Sequence, residues 1–210
     1  MVACLVNGNI VIAWRARLPG PLLVHLQIFD ANGPVGGEQI TNLDVTAIAM
    51  AALDTGRFVI AHVRNAFDGE TGFETTAVQA SVFEPNGVFT GIRISASSEQ
   101  RILSSWPTLL PLSGGRCVLA WTQTNTDAPA TGSIVKAKVF SAAQSSVGQA
   151  VQVNTSTGGE RFSLSAATTL GPGGETVFFA WADQGQAGDG TLARRVRGRP
   201  LPILSSGGLA

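Results

Sequence analysis

The chain has 210 residues, 44% of them hydrophobic and 13% charged, with a formal net charge of zero. That length can bury one substantial core, and that composition excludes a disordered chain or a coiled coil. The charge balance gives no general attraction to nucleic acid or an anionic membrane. No apolar run approaches the roughly 20 residues of a spanning helix, so membrane insertion is not expected.

The first elements are Val2-Ala3-Cys4-Leu5, a turn at Asn7-Gly8-Asn9, and Ile10-Val11-Ile12-Ala13-Trp14. Two more runs follow, Leu26-Gln27-Ile28-Phe29-Asp30 and Glu38-Gln39-Ile40-Thr41-Asn42. The same series then returns. Ile48–Leu53 leads through Asp54-Thr55-Gly56 to Phe58-Val59-Ile60-Ala61-His62, then Ala80-Ser81-Val82-Phe83-Glu84 and Gly91-Ile92-Arg93-Ile94-Ser95. The third copy runs from Pro107–Leu112 through Ser113-Gly114-Gly115 to Cys117-Val118-Leu119-Ala120-Trp121, Ala137-Lys138-Val139-Phe140-Ser141 and Ala150–Asn154. The fourth has Leu164–Leu170, Pro172-Gly173-Gly174 and Val177-Phe178-Phe179-Ala180-Trp181. Its later landmarks are worn, to Arg194-Arg195-Val196-Arg197-Gly198 and Pro202-Ile203-Leu204.

A period of roughly 50–60 residues belongs to solenoids, propellers or arrays. Short runs rich in Val, Ile, Phe and Thr, bounded by Gly, Pro, Asn and Asp, read as strands. The expected fold is therefore all-β, a β-propeller with four blades of four antiparallel strands. One domain spans 1–210, with blades at about 2–44, 45–98, 105–155 and 163–204. The second strand of each repeat is apolar on both faces and must be covered on both. Alanine at 13, 61, 120 and 180 suits a close neighbouring blade. A closed single-chain ring is expected, with self-association as the alternative. The molecule is then a monomer or a homodimer, and a parallel β-solenoid is the structural alternative.

The series Asn-Gly-Asn-Ile-Val-Ile-Ala-Trp (7–14), Ile28–Gly33, Val35-Gly36-Gly37-Glu38 and Val151-Gln152-Val153-Asn154-Thr155 resembles the repeats of large secreted bacterial surface proteins of the RTX-type adhesin kind. It is also similar to some bacterial propeller lectins. The resemblance implies a propeller, extracellular display, and recognition of a glycan or a surface protein. Met1 leads almost directly into the first strand without the basic region of a signal peptide. A secreted or surface location follows from the resemblance alone, and the chain lacks the flanking calcium-binding arrays of that family.

No metalloprotease pair, nucleophile elbow, phosphate loop or paired-cysteine metal site is present. The reading is a protein that is not an enzyme: a non-catalytic recognition module, lectin-like or adhesive. The alternative is a structural or protein-interaction segment of a larger surface protein. Candidate ligand-binding residues lie at the ends of the second strands: Trp14 and Arg15, His62 and Arg64, Trp121 and Gln123, Trp181 and Asp183. An indole can face a pyranose ring while neighbouring polar groups fix its hydroxyls; the competing reading is that these rings are packed between blades. Trp106 stands outside the signature and is a further exposed candidate. Neither a cofactor nor a metal is expected. Asp68-Gly69-Glu70 and Asp189-Gly190 read as turn residues, with calcium as the other reading. Cys4 and Cys117 are read as reduced thiols, a bridge between them being the alternative. Arg195, Arg197 and Arg199 share one strand face, either solvated or open to an anionic ligand.

Overall fold

The computed structural model describes residues 1–17, 20, 22–67, 74–96, 102–125, 132–155, 159–186, 192–204 and 206–210. Its regular elements are all strands. They form four antiparallel sheets in chain order, a four-bladed β-propeller. Blade 1 holds β1 (Val2–Cys4), β2 (Ile10–Arg17), β3 (Leu22–Asp30) and β4 (Gly33–Asp44). Blade 2 holds β5 (Ala47–Ala52), β6 (Phe58–Phe67), β7 (Glu74–Phe83) and β8 (Phe89–Ser95). Blade 3 holds β9 (Ile102–Leu112), β10 (Arg116–Asn125), β11 (Ser133–Ser141) and β12 (Gln144–Gln152). Blade 4 has three strands, β13 (Glu160–Gly171), β14 (Gly174–Gln186) and β15 (Leu192–Pro202), followed by a single bridge from Ile203 to Leu209.

Register corrects the reading of the last landmark. Ile10, Phe58 and Cys117 pair with Phe29, Phe83 and Phe140, and Val177 pairs with Leu201. The fourth copy is thus Gly198-Arg199-Pro200-Leu201, four residues beyond Arg194–Gly198. Pro202 and Ile203 follow it directly, so they do not build a fourth strand.

The five signature positions sort by face. The first, third and fifth turn toward the preceding blade, and the second and fourth toward the following one. Val11 and Ala13 pack with Phe58 and Ile60 between blades 1 and 2. Val59 and Ala61 pack with Cys117, Leu119 and Trp121 between blades 2 and 3. Val118 and Ala120 pack with Val177, Phe179 and Trp181 between blades 3 and 4. Burial of this kind is the main stabilising term.

Four blades thus share three apolar interfaces, and the described residues contain no fourth joining blade 4 to blade 1. Ile10 and Trp14 of blade 1 are 39% and 36% exposed, and Phe178 of blade 4 is 46% exposed. The equivalent positions in blades 2 and 3 are buried. The expected closed ring is not formed: the array is open between its first and last blades.

Candidate functional site

Every second strand runs from a tight turn to the end where the candidate residues lie, so the propeller has a turn end and a loop end. At the turn end, Asp54 of blade 2 accepts the backbone N–H groups of Gly114 and Gly115 in blade 3, both at 2.7 Å. Glu175 of blade 4 accepts the N–H of Ser113 at 2.8 Å and the Arg116 guanidinium at 2.8 Å. A cavity of about 480 Å³ lies here, lined by Cys4 and Leu5 of blade 1 together with Asp54, Ser113 and Glu175. Gly115 has φ +67, and a Cβ there would lie 2.7 Å from the Thr55 methyl, so this turn requires glycine. Both carboxylates are committed to joining turns, and they are braces between blades rather than a free acid–base pair.

At the loop end the eight nominated residues separate. Trp121 and Trp181 are 0% and 4% exposed, inside the interfaces on either side of blade 3, and neither indole N–H has a partner. Their faces are covered by protein, so they pack the fold and do not form sugar walls. Trp14 alone of the three is exposed, because none of the described blades packs against its face. Its ring stacks on His25 with centroids 5.7 Å apart, and His25 Nδ1 lies 2.5 Å from Glu38 Oε1. Arg15 turns the other way and donates to the carbonyl of Thr46 in blade 2.

His62 fills the tryptophan position in blade 2 and is 1% exposed. Burial lowers its pKa to about 4; Gln79 and the Ile60 backbone lie close enough to oppose this, though without hydrogen bonds of normal geometry. The ring is a neutral core residue. Arg64 is exposed and Gln123 is buried. The nominated set therefore does not converge on one pocket.

Asp183 belongs to a buried polar network instead. Its Oδ2 accepts Arg197 Nε at 2.8 Å, and its Oδ1 lies 3.9 Å from Arg161 Nη2. Arg161 also donates to the carbonyls of Ser133 at 2.5 Å and Gly159 at 2.7 Å. Burial lowers the guanidinium's pKa, Asp183 opposes that shift, and Arg197 adds to it. Arg199 donates to the Val153 carbonyl of blade 3 at 2.9 Å. Arg197 and Arg199 thus tie blade 4 internally and to blade 3, and the basic face expected on this strand is largely spent.

Cys4 is exposed and free, and Cys117 is buried and free, its thiol pushed by burial up to about 12. The alternative of a bridge falls. Asp68-Gly69-Glu70, Asp189-Gly190 and the side chain of Trp106 lie outside the described residues.

The sequence reading missed a feature of the inner strands. The pairing shifts register between Ala120 and Thr122 against β9, and between Phe162 and Ser165 in β13. Ser163, at the second shift, is the only described non-glycine residue with positive φ, at 54°. A cavity of about 420 Å³ opens beside these shifts, lined by Pro107, Thr108, Phe162, Ser163 and Leu164. Thr108 bridges the two strands by donating to the Leu164 carbonyl at 3.0 Å. Bulges re-aim side chains, and backbone outliers concentrate at working sites. Only the Asn and Ser content of 154–165 hinted at a break, because β-bulges have no fixed signature in one sequence.

No protein-family model matches the chain. No curated protein matches it either. Solved structures do. A complex of BT0996 and RGII matches with TM-score 0.52 and 8% identity, over 98% of this chain and 70% of that one. An N-acetylgalactosamine deacetylase from F. plautii, in complex with blood group B trisaccharide, matches with TM-score 0.52 and 11% identity, over 92% and 68%. An endo-arabinase from Bacteroides thetaiotaomicron VPI-5482 gives TM-score 0.49 and 13% identity, over 95% and 73%.

The propeller expectation stands on the sheet topology and on the first two of these matches, each at TM-score 0.52, while the adhesin and lectin likeness finds no counterpart in them. They overturn the reading of a non-catalytic module, whether lectin-like or structural, and with it the expectation that the chain is not an enzyme. The shared fold carries catalysts, among them the deacetylase. The absence of familiar motifs excluded only those chemistries whose motifs are local in sequence.

Proposed function

We propose that the protein is a glycan-processing hydrolase that receives its carbohydrate at the loop end of the inner strands, beside Phe162 and Ser163. The observation that carries this reading is the cleft itself: two bulged inner strands, a strained serine and an aromatic wall on one cavity of about 420 Å³. That size suits a sugar unit. Phe162 offers an apolar surface and is itself held by Arg194, whose guanidinium carbon lies 5.7 Å from the ring centroid. Thr108 and Ser163 supply hydroxyls beside it. The likeness in fold to a deacetylase bound to a trisaccharide favours hydrolysis on a glycan over other chemistry. A site of action outside the cytoplasm, where polysaccharide is met, goes with this reading.

The test is a panel of polysaccharides and acetylated oligosaccharides, arabinan and N-acetylgalactosamine-containing glycans included. It is read as new reducing ends and as released acetate. Product from the wild-type protein is expected, with kcat/KM lowered about tenfold or more in Phe162→Ala, a loss of about 1.4 kcal/mol of transition-state stabilisation. Absence of product across the panel from folded protein would overturn the reading, as would a Phe162→Ala variant as active as wild type.

A further inference from the structure

We infer that the rim cleft between blades 1 and 2 is a second carbohydrate subsite, and that it takes a sugar bearing a carboxylate, a uronic acid. The inference rests on the glycan reading above but concerns a different place in the fold. The cleft has a volume of about 310 Å³ and is lined by Gln39, Ile40 and Thr41 of β4 and by Ser81, Phe83, Phe89 and Arg93 of β7 and β8. That volume lies at the lower end of small-ligand pockets, which run from about 300 to 1,000 Å³. It has room for a single sugar ring rather than a longer chain.

The cleft exists because one residue is short. Ile12, Ile60, Leu119 and Phe179 are equivalent, and their partners on the third strand are Gln27, Ser81, Lys138 and Arg199. Three blades place a long polar side chain there. Arg199 uses it to reach across to the Val153 carbonyl, and Lys138 lies 5.9 Å from the Phe140 ring centroid. Blade 2 alone has serine, and the space a long chain would fill is left open. Gly87 keeps the two walls close: a Cβ there would fall 2.5 Å from the Gln39 amide nitrogen. Gln39 in turn donates to the Asn86 carbonyl at 2.9 Å, which ties blade 1 to blade 2 at the edge of the cleft.

The polar groups are positioned but unspent. The Ser81 hydroxyl is fully buried and has no hydrogen-bond partner. A buried hydroxyl without a partner is costly, and a ligand oxygen would remove that cost. Arg93 is exposed at the mouth, and its guanidinium carbon sits 5.3 Å from the Phe89 ring centroid. Among the described residues it makes no ion pair. A guanidinium held against an aromatic ring keeps its outer N–H edge for a planar, bidentate acceptor, and a carboxylate is that acceptor. Phe89, 38% exposed and tilted against Phe83 at 5.7 Å, gives the apolar wall for the sugar's C–H face. An aromatic wall, a free cation at the mouth and an unpartnered hydroxyl at depth together describe an acidic pyranose, its carboxylate outermost.

The test is titration of the intact protein with glucuronate, followed by amide chemical shifts. Glucose serves as the neutral sugar and acetate as the carboxylate without a ring. Glucuronate is expected to shift the amides of Ser81, Gly87 and Arg93 saturably, with glucose and acetate each binding about tenfold more weakly. Arg93→Gln, a surface change, should reduce glucuronate to the level of glucose. Ser81→Gln, which installs the blade 1 residue, should abolish binding of both sugars. Equal binding of glucose and glucuronate would overturn the inference, as would glucuronate affinity unchanged in Arg93→Gln, or no shift at these amides at tens of millimolar. The readout is binding at named amides, so it is independent of turnover. Glucuronate binding without any hydrolysis would leave the subsite standing and remove the enzyme reading, and hydrolysis without these shifts would do the reverse.

Discussion

Blades 2 and 3 and blades 1 and 4 carry the same signature and live in different surroundings. In the middle blades all five positions are buried, whereas in blade 1 the odd positions, and in blade 4 the even positions, meet solvent. One signature thus does two jobs, and the neighbouring blade decides which. A residue of the signature has no fixed energetic worth; its worth is that of the interface it closes.

The tryptophans test this most strongly. Trp121→Ala should cost about 3–5 kcal/mol, because it empties a sealed interface. Trp14→Ala should cost about 1 kcal/mol or less, since its ring is only partly covered. Urea unfolding of the two variants against wild type measures the contrast, and equal losses would break it.

His62 offers the next contrast, through pH. The unfolded chain takes up a proton on this ring near 6.5 and the folded chain only near 4, so the unfolded state binds more protons between those values. Stability contributed by the neutral ring is complete above pH 6.5 and is lost as pH falls to 4. The loss is on the order of 3 kcal/mol. His62→Leu should flatten that part of the stability curve, and a curve of unchanged slope would exclude His62 as its source.

Alanine comes third. Ala61→Leu should destabilise by about 1–3 kcal/mol by forcing blades 2 and 3 apart. Ala180→Leu, at the same signature position on the open side of blade 4, should change stability by no more than about 0.5 kcal/mol. Thermal melts of both variants decide it.

Ser163→Gly gives the smallest effect. Relieving positive φ should stabilise by about 0.5–1 kcal/mol. Activity on the glycan substrate should fall as the bulge loosens, and a variant with full activity would separate the strain from the site.

Much of this was legible in the chain. Four signatures in phase with a turn before each gave the blades, and alanine at the fourth position announced close packing. The face each position takes was not legible, because strand alternation separates two sides without saying which neighbour lies on either. The open ring escaped for the same reason: Ile10 and Phe178 look like core residues until their missing neighbour is seen. The fourth outer landmark was misplaced because Val196 imitates the valine of the earlier copies, whereas the residue in register with that valine is Pro200, with Leu201 in the place of the phenylalanine. The tryptophans were nominated from their recurrence, yet recurrence is equally the mark of packing, and burial of Trp121 and Trp181 decides for packing. Both cavities of interest depend on local exceptions, a bulge at Ser163 and a short side chain at Ser81. Pattern matching discounts exceptions as noise.

The carboxylate braces at the turn end also set an order of release. Asp54 fastens blade 2 to blade 3, and Glu175 fastens blade 4 to the same three-residue turn. Among the described residues the turn of blade 1 has no such fastener: Asn7 accepts the N–H of Asn9, within its own turn. In a molecule whose units touch only their neighbours, opening starts at the end with the weakest attachment and spreads inward. Amide deuteration should therefore advance as a front, reaching β1 and β2 first and the paired amides of β10 last. The four blades would come apart as a zipper drawn from blade 1.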